Sequence, residues 1–205
     1  MKQICLELYY RLTLRHANIT STPSLRRVKM KKVLVLAGHR YPDESRVNRA
    51  AIDALKTLPQ VTVHELTREY PDFKIDVQRE QALLLAHDAV VMLFPFWWYS
   101  SPAILKEWQD QVLEHGFAYG TGGDRLHGKP FMLMVSTGGN AEAYSPQGYN
   151  RYPIEEFWLP FHAMANMTGM IWQPPALIQG THVLSDADLD AGVAQWLSRV
   201  NALVR

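Results

Sequence analysis

The sequence holds a single cysteine, Cys5. One cysteine cannot build an internal disulfide framework, so the core must hold the fold, and this usage fits a reducing compartment. No apolar run approaches the roughly 18 residues that read as a membrane-spanning helix. The net charge of +1 argues against a global nucleic-acid footprint. No Gly-x-Gly-x-x-Gly follows an apolar strand, which disfavours a separate dinucleotide-binding domain. The histidines stand at 16, 39, 64, 87, 115, 127, 162 and 182, none at His-x-x-x-His spacing. With no second cysteine, that pattern offers no metal site. A Gly-x-Ser-x-Gly elbow is missing and Cys5 lies outside the expected fold, so a serine or cysteine nucleophile has little support. Internal repeats and low-complexity tracts are absent.

What is present is a chain of 205 residues with 47% hydrophobic and 20% charged residues, enough for one domain with a sizeable core. Charge is unevenly spread. Residues 1–32 carry Lys2, Arg11, Arg15, Arg26, Arg27, Lys29, Lys31 and Lys32 against Glu7, which is +7 of the +1 total and leaves −6 for the rest. A basic, acid-poor segment of this kind can be a targeting or membrane-surface arm. The simpler reading takes Met30-Lys31-Lys32 as the true start. Residues 1–30 are then a basic N-terminal extension, expected to be poorly ordered, before one domain over residues 31–205.

The chain is organised around Phe94 to Pro102, FPFWWYSSP. An apolar run enters this stretch and the helical pattern AILKEWQDQVLE leaves it. In open parallel sheets, ligands bind outside the carboxyl ends of the strands. Three successive aromatics, Trp97, Trp98 and Tyr99, suit such a place if a flat ring such as a flavin covers them.

Taken in order, Val33 to Ala37 is continuously apolar and reads as a strand buried on both faces. Ser45 is placed to cap a helix from Arg46 to Thr57. Val61 to Leu66 alternates as a second strand, and Asp76 opens a helix through Ala86. Asp88 to Phe94 is the third strand. Ser101 as N-cap and Pro102 at the first helical position start the next helix, which Gly116 stops after His115. Pro130 to Ser136 is the fourth strand. Glu155 to Thr168 reads as a helix that Pro160 kinks. Met170 to Ile178 is a final strand that Pro174 and Pro175 make irregular or an edge. Ser185 caps the last helix. Strands alternating with helices predict an α/β doubly wound parallel sheet with right-handed crossovers. Five strands favour the flavodoxin-like order 2-1-3-4-5, with its site between the first and third strands.

Three loops would then meet at one edge. His39, Ser45 and Asn48 surround a helix N-terminus, where free N–H groups and the helix dipole favour a phosphate; on this loop alone, simple capping by Ser45, with His39 and Asn48 as ordinary loop and helix residues, is the simpler reading. Phe96, Trp97, Trp98 and Tyr99 can pack on an isoalloxazine, or plug the core. Ser136, Thr137, Gly138, Gly139 and Asn140 can bring N–H groups to a flavin's N1/C2=O edge, or form a plain turn. No single loop is specific; the combination is.

These strings carry a resemblance. GHRYPDESRVN, FPFWWYSSPAILKEWQDQVLEHGFAYG, STGG and AYSPQG together resemble the NAD(P)H:quinone oxidoreductase family with the flavodoxin-like fold. YPDFKID, REQALL and NRYP are most similar to its ancillary oxidoreductase subunits of glutathione-gated potassium efflux systems. The resemblance implies bound FMN, transient NAD(P)H as donor, a quinone as acceptor, and a homodimer with the site at its interface. It also implies a cytoplasmic protein, or one peripheral at the inner membrane, able to partner a transporter's cytoplasmic domain. By motif, His39, Ser45, Arg46, Val47 and Asn48 would hold the ribityl phosphate. Phe96, Trp97, Trp98 and Tyr99 would line the ring. Ser136, Thr137, Gly138 and Gly139 would hold its pyrimidine edge, with Gly138, Gly139 and Tyr144 stabilising the reduced cofactor. Larger members carry a relay histidine where this chain has Asn150, and often a glutamine where it has Trp97. His162 is off-motif and reads as a packed helix residue. An alternative role is a flavin-binding regulatory subunit. An acidic electron carrier fits less well, because this chain is nearly neutral.

Overall fold

The computed structural model describes residues 31–204. The basic extension at residues 1–30 and Cys5 lie outside the described residues. In chain order, the elements are β1 (Val33–Ala37), α1 (Arg46–Leu55), β2 (Val61–Glu65), α2 (Leu66–Glu69), α3 (Val77–Ala86), β3 (Ala89–Pro95) and α4 (Ala103–Val112). They continue with β4 (Pro130–Thr137), two 3-10 turns at Ala141–Ala143 and Ile154–Trp158, α5 (Leu159–Met167), β5 (Ile171–Trp172), β6 (Ala176–Gln179) and α6 (Asp186–Ala202).

The sheet is parallel, in the order β2-β1-β3-β4-β5. This is the flavodoxin-like doubly wound α/β fold. Its apolar strands split by the period of two that a pleated strand imposes. Leu34, Leu36, Val90, Met92, Phe94, Phe131, Leu133 and Val135 face one layer, against Ile104, Leu105 and Trp108 of α4 and Phe161 of α5. Val33, Val35, Val91, Leu93, Met132 and Met134 face the other, against Ala51, Ile52 and Leu55 of α1 and Leu189, Val193 and Trp196 of α6. Burial on both faces is why β1, β3 and β4 read as unbroken apolar runs.

Three local expectations are corrected. Pro102, not Ser101, is the N-cap of α4, at φ −55° and ψ 148°. Ser100 is tied back to Trp97 by two backbone hydrogen bonds, so the chain uses one more extended residue before it can turn helical. The same helix ends at Val112, because Leu113 leaves the helical region at ψ 63°. Pro160 does not kink a long helix. It sits in the first turn of α5, where its missing N–H is not needed, and a 3-10 turn precedes it.

The final strand is broken in two by Pro174-Pro175, which supply no ladder donors. β5 pairs with Pro130 and Phe131, and β6 pairs with Met134 to Thr137, both along β4. The second piece therefore ends beside the carboxyl end of β4. Ser45, Asp76 and Ser185 cap α1, α3 and α6 through their side chains. Among the described residues, no helix is long and apolar enough to cross a membrane.

Candidate functional site

The carboxyl ends of β1, β3, β4 and β6 open onto two adjoining cavities. One, of about 320 Å³, is lined by His39, Tyr41, Glu44, Ser45, Arg46, Val47 and Asn48. The other, of about 500 Å³, is lined by Phe96, Trp97, Trp98, Tyr99, Gly138, Gly139, Tyr144, Tyr149 and Asn150. Pro95, Trp97, Ser136, Thr181 and His182 border both. Each lies in the size range of small-molecule sites, roughly 300–1,000 Å³.

The first loop leads into the N-terminus of α1, whose geometry suits an anion. The Ser45 hydroxyl accepts from the Asn48 backbone N–H at 3.1 Å. The N–H groups of Arg46 and Val47 then have no intrahelical acceptor, and the helix dipole points its positive end at the cavity. Asn48 is buried, and its Nδ2 donates to Ser45 and to Ser136 at 3.2 Å each, which joins the first loop to the third. Its Oδ1 is buried without a partner. The Arg46 guanidinium is turned away, onto the Leu184 carbonyl and Asp186, so its backbone faces the task and its charge is spent elsewhere. The His39 Nδ1 accepts from Tyr41 N–H at 2.9 Å, and its ring stands edge-on to Trp97 at 4.9 Å. Burial pulls the His39 pKa below its ordinary value, opposed by that backbone bond and by Glu44. Burial therefore favours the neutral ring.

The second loop divides its aromatics between two tasks. Phe96 is 7% exposed and packed by Tyr99, Tyr144, Phe157 and Trp158, so it is the core plug. Trp98 is 92% exposed. Trp98 and Tyr99 stand at φ +47° and +64°, conformations that cost energy in non-glycine residues and mark functional turns. The closing bonds between Trp97 and Ser100 hold them there.

In the third loop, neither glycine has a positive φ; both are needed for close approach. A Cβ on Gly138 would stand 2.6 Å from His182 Nε2, and one on Gly139 would stand 2.5 Å from the Tyr149 hydroxyl. Ser136 lines both cavities. Thr137 is buried and donates to the Gly139 carbonyl at 2.7 Å, so it shapes the loop from behind. Tyr144 lines the larger cavity. Burial raises its pKa, with Tyr149 adding to the effect, so its hydroxyl remains a proton-bearing donor.

Sequence reasoning missed a fourth contributor. Thr181 and His182 follow β6 and border both cavities. The signal was Gly180 after an apolar run, at φ +71°, but the broken strand concealed which edge that run joins. His162 stacks on Trp172 at 5.1 Å as a packed helix residue. Among the described residues, no group of three His, Cys, Asp or Glu is placed to hold a metal ion.

A family model described as "Flavodoxin-like fold" matches residues 31–200. A glutathione-regulated potassium-efflux system ancillary protein, KefG of Pectobacterium carotovorum, is 45% identical over 170 residues, 82% of this chain and 93% of that protein. The chain belongs to the flavodoxin-like NAD(P)H oxidoreductase family. Two solved family structures superpose on it. General stress protein 14 of Treponema denticola, in complex with FMN, has a TM-score of 0.80 and 34% identity, covering 84% of this chain and 99% of that one. An NADPH-quinone reductase from P. pentosaceus has a TM-score of 0.72 and 30% identity, covering 82% and 95%. Family membership accounts for the strand order. It leaves the side-chain roles to this chain's own residues, above all at Asn150 and Trp97.

Proposed function

We propose that the protein is an FMN-dependent NAD(P)H:quinone oxidoreductase. One observation carries this reading: an anion-binding helix N-terminus and an aromatic cavity adjoin across Pro95, Trp97, Ser136, Thr181 and His182. A ligand with a phosphate at one end and a flat, polar-edged ring at the other fits that donor set. Gly138 and Gly139 leave the ring end open, where a Cβ would stand 2.6 Å from His182 and 2.5 Å from the Tyr149 hydroxyl.

FMN, when bound, supplies two-electron chemistry between a nicotinamide donor and a quinone acceptor. The chain's residues bind and orient. Arg46 and Val47 N–H groups and the Ser45 hydroxyl would hold the phosphate, with Asn48 bracing Ser45 from behind. Trp97, Trp98 and Tyr99 form the wall against the ring and exclude water on that side. Gly138, Gly139 and Tyr144 present donors to the pyrimidine edge, where preorganised N–H and O–H groups stabilise developing negative charge. Donor and acceptor use the same open face in turn, a ping-pong order.

The cavity lining includes the exposed Trp98, Tyr99 and Tyr149. Exposed aromatics around one cavity suit an interface, and a second copy of the chain covers them in this reading. A regulatory role on a potassium efflux transporter is the second reading, favoured by the likeness to KefG.

The test is the visible spectrum of the purified protein, with chromatography of released cofactor. Stoichiometric FMN that NADPH or NADH bleaches without oxygen, followed by quinone-dependent reoxidation, is the expected result. A colourless protein that takes up no added FMN overturns it. Potassium flux with a variant that binds FMN but does not turn over separates the regulatory role: retained activation favours the regulator.

A further inference from the structure

A third cavity, of about 590 Å³, lies outside the two assigned to the cofactor. Its lining includes Arg40, Thr67, Phe73, Trp97, Trp98 and Ser101. Trp97 and Trp98 line the ring cavity as well, so the two adjoin across that pair.

Among the described residues, Arg40 is the one charged side chain in this lining, and no carboxylate pairs with it. Asp43, on the same loop, pairs with Arg68, and Asp72, beside Phe73, pairs with Lys74. Glu44 lines the smaller cavity instead. The Arg40 guanidinium stands 5.3 Å from the centre of the Tyr41 ring. That cation–π contact restrains the group but leaves its N–H donors for an anion. The Thr67 hydroxyl donates to the His39 carbonyl at 2.8 Å, which ties the loop carrying Arg40 to α2.

Phe73 belongs to neither core layer, is 43% exposed and stands at φ +63°. A left-handed conformation costs energy in a phenylalanine, and here it is spent on an aromatic wall of the cavity. The first residues of α4 line the same space, with no side chain capping them, so the helix dipole adds positive potential.

Aromatic walls, hydroxyls and a lone cation suit an adenosine that carries a phosphate. A donor whose nicotinamide enters the ring cavity has this neighbouring space for its other half. NADPH and NADH differ there by one ribose phosphate.

We propose that this cavity binds the adenosine half of the nicotinamide donor, and that Arg40 selects NADPH over NADH by pairing with its additional phosphate. The inference rests on the flavin reading above and names the donor that site uses. Phe73 and Trp98 meet the adenine, which both donors carry. Arg40 meets a group that only one carries, and its planar fork matches phosphate oxygens two at a time.

The experiment uses the full chain loaded with FMN. Reduction of the flavin is followed with each donor, and adenosine 2′,5′-bisphosphate and adenosine 5′-phosphate are titrated by calorimetry. The unsubstituted protein is expected to have the higher kcat/KM with NADPH, and to bind the bisphosphate more tightly than the monophosphate. Arg40→Gln, at an exposed position, is expected to lower kcat/KM for NADPH and affinity for the bisphosphate about tenfold, the loss of a charge-assisted bond. It should leave NADH unchanged. Phe73→Ala should weaken both donors alike. Equal efficiency with the two donors in the unsubstituted protein, or an Arg40→Gln that changes both alike, overturns the proposal. A chain that takes up FMN and binds no bisphosphate overturns this inference alone. A chain that takes up no FMN but binds the bisphosphate overturns the flavin reading and keeps the nucleotide cavity.

Discussion

Glu80 provides the sharpest test of how the scaffold behind the site is held. Its carboxylate is 0% exposed on α3. One oxygen accepts from Tyr70 at 2.6 Å and pairs with His64 Nε2 at 2.7 Å; the other accepts from Trp108 Nε1 at 2.8 Å. The cluster therefore pins α3 to β2, to the chain after α2, and to α4. Glu80→Gln keeps the shape and loses one acceptor. If the amide oxygen stays with Tyr70 and His64, the NH₂ group faces the Trp108 N–H, donor against donor. Losing one bond to a charged acceptor costs about 1.5–3 kcal/mol, and an unpaired buried donor adds about 1 kcal/mol or more. Relief of the buried charge offsets part of that, leaving a net loss of about 3 kcal/mol. For a chain of this length, that is a fall of about 10 °C in Tm.

The pH dependence sharpens the test. Burial pushes the Glu80 pKa up, and the bonds from His64, Tyr70 and Trp108 outweigh it, so the net shift is downward. A carboxyl with a depressed folded pKa contributes stability above its unfolded value, about 4.3, and loses it as pH falls through the folded one. Urea denaturation at pH 7 should show a lower midpoint for Glu80→Gln with an unchanged slope, and a narrower gap from the unsubstituted protein below pH 4. Equal midpoints at pH 7, or a gap that does not change with pH, would refute the reasoning. FMN uptake should survive, since Glu80 and its partners line neither cavity.

Other outcomes follow from the site. Ser45→Ala removes the cap on α1 and a partner of the Asn48 side chain; it should cost about 1 kcal/mol in urea and weaken FMN affinity in a fluorescence titration. Gly138→Ala drives a Cβ to 2.6 Å from the exposed His182 ring. The ring can swing aside, so the melting curve should barely move while the dissociation constant for FMN rises several-fold. Burial depresses the His39 pKa, so the unfolded chain takes up that proton first. Stability should therefore fall as pH drops from about 6.5, and His39→Gln should flatten this limb of the pH profile.

Much of the fold was legible because strands buried on both faces must be apolar throughout, and helices between them must show a 3.6-residue stripe. Val33 to Ala37, Ala89 to Leu93 and Phe131 to Val135 met the first condition, and the caps at Ser45 and Ser185 obey local hydrogen-bond chemistry alone. Boundaries failed where distant bonds compete with local preference. Ser101 lost its cap because Ser100 closes a turn with Trp97. The two prolines near the end signalled an irregular strand, but not that its second half continues along β4.

Sequence alone determined the parallel α/β class and the strand order, and it marked the first loop as a helix N-terminus and the second as an aromatic turn, since each follows from residue type and period. Tertiary structure decided what those loops become together. It brought Thr181 and His182 to the seam between the cavities. It buried Phe96 at the cavity floor and left Trp97 and Trp98 exposed, and turned the Arg46 charge away from the cavity. It also set the Tyr99 hydroxyl on one end of the Asn150 amide. Those outcomes depend on distances between segments far apart in the chain, which only packing supplies.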